Sequence, residues 1–186
     1  MCNFLSALVL RNGDVLTHPM LDSHADLVRY FKLPDGNVYI QHFAKVELVP
    51  TTDWLDAATW AWKVDEAVLP SWWTDVAAAA EDTLRQRATL MIIRQGEREL
   101  IVDGCWIVGG TAKIRDVRSG RIVRVQDSAQ VMNVWGSAQV RHVGGSAQVT
   151  HVWGSAQVTH VGGSAQVTHV GGSAQVRDGG DSAQVR

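Results

Sequence analysis

The stretch "GSAQVTHVGGSAQVTHVGGSAQV" at residues 154–176 says one nine-residue phrase two and a half times. The word "SAQV" begins at Ser128, Ser137, Ser146, Ser155, Ser164, Ser173 and Ser182, without insertion or deletion between copies. Internal periodicity of this kind outranks local propensity as evidence of architecture. In each full copy the pattern is S-A-Q-V-x-x-V-x-G. Ala and Val, two apart, share one face of a strand, and the Gln between them takes the other. The closing Gly permits the positive φ of a turn. A helix is a poor competitor, because Gly recurs every nine residues among β-branched neighbours.

The number of copies per turn follows from a column that alternates: Trp135, Gly144, Trp153, Gly162. Two copies, eighteen residues, make the physical turn, with Trp135 beneath Trp153. This predicts a parallel β-solenoid with two strands per coil, rising about 4.8 Å per coil. A left-handed helix of three hexapeptide sides would also take eighteen residues, and the spacing leaves it open. "TAKIRDVR" and "SGRIVRVQD" read as decayed copies upstream. A lone coil cannot offset the entropy of ordering its backbone, so stability must come from stacking, and the two ends are weakest.

Residues 1–104 read as an α+β head domain expected to cap one end, and residues 105–186 as the solenoid. "CNFLSALVL" and "VLTH" flank an Asn-Gly turn and predict a hairpin. "DSHADLVRYFKL" predicts a helix capped by Ser23, with Asp26 three residues on. "NVYIQHFAKVELV" and "TWAWKV" predict strands, the latter placing Trp60, Trp62 and Val64 on one face. "TDVAAAAEDTLRQRATLMIIRQG" predicts a long helix between Thr74 as cap and Gly96 past its end. "ELIVDGCWIV" predicts a hairpin about Asp103-Gly104. Strands and helices do not alternate regularly, so the head is α+β rather than a wound parallel sheet.

At 186 residues and 46% apolar composition the chain can bury a proper core, and a disordered chain is excluded. No apolar run is long enough for a membrane span, and "MCNFLSALVL" lacks a basic leader, so the expectation is a soluble, cytoplasmic protein without membrane contact. Cys2 and Cys105 make no disulfide framework and sit in no zinc-ligand pattern. The net charge of -2 conceals an asymmetry, with 9 Lys+Arg against 15 Asp+Glu in residues 1–110 and 8 against 4 in residues 111–186.

The last copies differ in charge: Arg177, Asp178, Asp181 and Arg186 replace neutral residues of the inner ones. An open rim presents unpaired N–H and C=O groups, which charges either keep soluble or direct toward a partner. A second copy of the chain is the expected partner, as a closed dimer or a fibre. Antiparallel parity sets Ala183 opposite the partner's Val185 and Gln184 opposite the partner's Gln184, with Asp181 near the partner's Arg186.

Other candidates carry plainer explanations. His142, His151, His160 and His169 share a column, so His142 should lie under His160 and His151 under His169. Such rows suit an acid sensor better than a metal site, since no carboxylate or thiolate accompanies them, and a solvated polar column copied with its repeat is the plainer reading. No metal and no cofactor is expected. Thr150, Thr159 and Thr168 form a row that resembles those of ice-binding proteins, although His interrupts it and β-propensity explains it. Arg115, Arg118, Arg121 and Arg124 could meet phosphate as a nucleic-acid-binding module, or complement the acidic first domain. Asp22, Ser23 and His24 are adjacent and cannot converge as a triad.

Cys2, followed by a strand and a hairpin, resembles the start of class II glutamine amidotransferases and other N-terminal-nucleophile enzymes, which implies a Cys2 hydrolase or amidotransferase using its own amine as base. Asn3 stands where that family has Gly. Taken together, "MCNFLSALVLRNGDVL", "DSHADLVRYF", "MIIRQGERELIVDGCWIVGG" and the nonapeptide tail resemble uncharacterised actinobacterial and phage-type solenoid proteins, which implies the two-part division and adds nothing about catalysis. The first reading is a structural, self-assembling β-solenoid protein, with a Cys2 N-terminal-nucleophile enzyme and a nucleic-acid-binding module as the alternatives.

Overall fold

The computed structural model describes residues 5–34, 41–177, 180 and 182–186. Two compact units divide between Leu90 and Met91.

The first unit is built on an antiparallel sheet of β1 (Leu5–Leu10), β2 (Val15–Leu16), β3 (Phe43–Val49) and β4 (Ala61–Val64), in the order β2-β1-β3-β4. The Asn-Gly turn closes β1 on β2 as expected, with Gly13 at φ +87. Trp62 and Val64 lie opposite Leu48 and Val46, both fully buried. Helix α1 (His24–Tyr30) follows Ser23, whose side chain makes no capping hydrogen bond. Helix α2 (Trp73–Leu90) turns Trp73, Ala80, Leu84 and Ala88 inward, a spacing that keeps one stripe on the core. Arg85 ties α2 to the short 3-10 turn at Ala57–Thr59, its Nη1 donating to the carbonyls of Ala57 (2.8 Å), Ala58 (3.2 Å) and Trp60 (3.0 Å).

Two elements differ from expectation. Helix α2 starts at Trp73, so Thr74 lies inside it, and it stops at Leu90. "MIIRQG" instead supplies β5 (Ile92–Ile93), the first strand of the second unit.

That second unit is a parallel β-solenoid running from residue 92 to residue 185. One six-stranded sheet holds β5, β7 (Cys105–Val108), β9 (Arg121–Val125), β11 (Gln139–Val143), β13 (Gln157–Val161) and β15 (Gln175–Val176). The other holds β6 (Glu97–Ile101), β8 (Lys113–Val117), β10 (Gln130–Val134), β12 (Gln148–Val152), β14 (Gln166–Val170) and β16 (Gln184–Val185). The expected hairpin about Asp103-Gly104 is absent: β6 and β7 lie in different sheets, and each pairs in parallel with the next coil. Rungs therefore begin at Ile92, within the segment assigned above to the head.

Each coil of the regular array takes eighteen residues, as Gln130 beside Gln148 and Gln139 beside Gln157 show. Earlier coils are shorter. Lys113 pairs with Gln130 at seventeen residues, Glu97 with Lys113 at sixteen, and Ile92 with Ile107 at fifteen. The interior is one apolar column in which Ala129, Ala138, Ala147 and Ala156 alternate with Val131, Val140, Val149 and Val158. Both residues of each x-x pair lie outside, between two inward valines. The closing glycines run from φ +64 at Gly145 to φ +69 at Gly154, and a Cβ on Gly145 would come 2.9 Å from the backbone nitrogen of Asp127 one coil below. Asp127 itself takes this conformation at φ 59, and its carboxylate accepts from the Gly110 amide at 2.9 Å. No helix among the described residues is long and apolar enough to cross a membrane.

Candidate interface and side-chain ladders

The last coil is where the repeating pattern loses its cover. At β14 the inward Val167 is 1% exposed, whereas Val185 one coil on is 42% exposed. Ala174, Val176 and Ala183 are half-buried, although their counterparts in the inner coils are sealed. Gln175, Arg177, Gln184 and Arg186 donate their amides to Ala156, Val158, Ala165 and Val167 at 2.9–3.1 Å. The alternation of a parallel ladder then aims the N–H and C=O of Val176 and Val185 away from the preceding coil. Apolar side chains and strand-edge polar groups thus share one rim.

Arg177 and Arg186 lie on the outer faces, donating to the side chains of Gln175 (2.9 Å) and Gln184 (3.2 Å) on their own strands. Asp178 and Asp181 lie outside the described residues, as does Cys2. Cys105 is buried and forms no disulfide among the described residues.

The histidines stack. His142 and His160 have ring centroids 4.8 Å apart at 15°, and His151 and His169 4.9 Å apart at 25°. Below them the two columns diverge: Arg124 precedes His142 on one sheet, while Asp116 and Asn133 precede His151 on the other, joined by a 2.8 Å hydrogen bond. Burial holds the His142 imidazole below its ordinary value of 6.5, and His160, Arg124 and Arg141 add repulsion. The Nδ1 atom of His151 is buried without a hydrogen-bond partner. Stacked rings present parallel faces rather than converging nitrogens, and no group of three His, Cys, Asp or Glu that could hold a metal occurs among the described residues.

Trp135 and Trp153 lie in one column, 39% and 47% exposed. The Arg118 guanidinium lies 4.6 Å from the Trp135 ring centroid, and the Trp153 ring covers the backbone of Gly171. This cation–aromatic contact is a feature that residue spacing alone did not reveal, since a residue is missing from the copy that holds Arg118.

The four arginines of the decayed copies do not form one patch. Arg115 and Arg121 belong to strands of different sheets, Arg115 is paired with Glu99 at 2.9 Å, and Arg121 is 5% exposed. Thr150 and Thr168 stand one coil apart on one sheet, and Thr159 on the other. No protein-family model, curated protein or solved structure matches this chain.

Proposed function

We propose that the protein is a structural, self-assembling β-solenoid whose last coil pairs with that of a second copy. The supporting observation is the rim itself: Val185 at 42% exposure, in a column whose inner members are sealed. Burying such surface is favourable at roughly 25 cal/mol per Å2, and unpaired strand edges gain hydrogen bonds from the same event. In the antiparallel register set out above, the outward groups of Val185 face those of Ala183 in the partner, and the Gln184 side chains meet on one face. A closed pair is the simplest product, and a fibre follows if a second surface also associates.

Sedimentation equilibrium of the full chain tests it. At about 50 μM the expected species has twice the 20.3 kDa monomer mass or more. Val185→Lys places a charge on the rim and should return the monomer while far-UV circular dichroism stays unchanged. A wild-type monomer across the concentration series would overturn the proposal, as would a Val185→Lys protein that keeps the wild-type mass.

A further inference from the structure

Beside α1, the first unit has a cleft of about 760 Å3, a size suited to a small ligand. Val28, Arg29 and Lys32 reach it from one side of the helix and its end, Leu33 follows, and Phe43 and Lys45 face them from β3. Cations are concentrated here against the trend of the unit. Residues 1–90 carry 7 Lys+Arg and 12 Asp+Glu, a net of -5, yet three of those seven cations line this cleft, where Asp65 is the carboxylate among the described lining residues.

Acidic neighbours offset two of the three cations, Arg29 and Lys45, and leave Lys32. Asp65 faces His24 Nδ1 at 3.4 Å, and Glu66 stands 3.9 Å from the Lys45 ammonium, beyond hydrogen-bond reach. Arg29 pairs with Asp26 at 3.0 Å, and Lys32 forms no ion pair among the described residues. Proton transfer is not what this cleft is built for. His24 is buried, with Nε2 3.0 Å from the Val46 carbonyl and Nδ1 toward Asp65, so both ring nitrogens are engaged.

Lys32 supplies an independent indication. It has φ 53, and it closes α1 as the left-handed residue of a Schellman motif, with Lys32 N–H to Arg29 O at 3.2 Å and Leu33 N–H to Val28 O at 3.0 Å. Glycine takes this conformation without the steric cost that a Lys carries. A side chain held where glycine would be more stable implies a use for its ammonium.

We propose that this cleft binds a small organic anion, its carboxylate or phosphate held by Lys32, Lys45 and Arg29 and its apolar body laid against Val28, Leu33 and Phe43. A cation at a helix C-terminus also complements the helix dipole, and the test separates the two roles.

Amide correlation spectra of the full chain are recorded during titration with octanoate, and separately with octyltrimethylammonium. Octanoate should shift the Val28, Lys32, Leu33 and Phe43 amides saturably, and the ammonium compound should not. Lys32→Gly should leave the melting temperature unchanged or raised while weakening octanoate about tenfold, the loss of one charge-assisted contact. Lys45→Gln should weaken it comparably. Shifts of equal size with the cationic amphiphile, saturable shifts only elsewhere, or unchanged affinity in both variants would overturn the proposal.

Discussion

The indole of Trp153 occupies the volume into which a side chain on Gly171 would project, its Cε3 only 2.6 Å from where that Cβ would be. The Trp and Gly of this column are thus spatial partners across one coil. By contrast, Gly162 in the opposite column has open space at the same point. Gly171→Ala should therefore destabilise by about 1 kcal/mol, the low end for overpacking against an exposed ring. Gly162→Ala should be neutral or stabilise by about 0.5 kcal/mol through the unfolded state. Chemical denaturation of the two variants checks the sign difference, and Trp153→Ala should abolish the cost at Gly171.

The closing glycines answer to backbone rather than side chains. Gly154, at φ +69, would set a Cβ 3.2 Å from the Gly136 nitrogen. An L-residue there meets both the left-handed penalty and the coil beneath, so Gly154→Ala should cost about 2 kcal/mol. Gly154→Asn, whose side chain tolerates that conformation, should cost less by thermal melting.

Acid should weaken the solenoid. The folded His142 pKa is lowered from 6.5, so between the unfolded and folded values the unfolded chain binds more protons. Stability attributable to this group is intact above the unfolded value and is lost as pH falls through about 6.5 toward the folded pKa. Melting temperatures should fall from pH 7.5 to pH 5, and His142→Gln should flatten that slope. Removing the facing ring by His160→Gln should flatten it in part, because desolvation, the larger cause, remains.

In the first unit, Arg85 donates to three carbonyls and holds Glu81 at 2.6 Å. Arg85→Met keeps most of the volume and strands those acceptors. Partial solvent access moderates the loss to about 2 kcal/mol, measurable by urea denaturation.

The solenoid was legible because copying makes long-range pairing visible: identical residues eighteen apart must adopt identical surroundings, so Gln130 and Gln148 reveal their own register. Where copies have diverged, that signal fades. Gly104 at φ +82 looks the same in sequence whether it closes a hairpin or turns a coil corner, and only the pairing of Cys105 with Arg121 decides. Ile92 and Ile93 continue the apolar content of α2, yet bridging to Ile107 and Val108 makes them a rung. The cation cleft was invisible for a different reason. Lys45 lines the same cleft as Arg29 and Lys32 although they belong to separate elements, and nothing in their spacing announces it.

Since nine residues are half a circuit, genes of this kind change length in half-steps. Unequal exchange between near-identical copies gains or loses one phrase, and each such event transfers the outermost rung from one sheet to its opposite. An event between Trp135 and Trp153 would set their indoles on opposite sides of the coil, whereas an event elsewhere would leave both in one column. Exchanges of two phrases conserve every column wherever they occur, so lengths of this solenoid that keep the Trp column are expected to differ by multiples of eighteen residues.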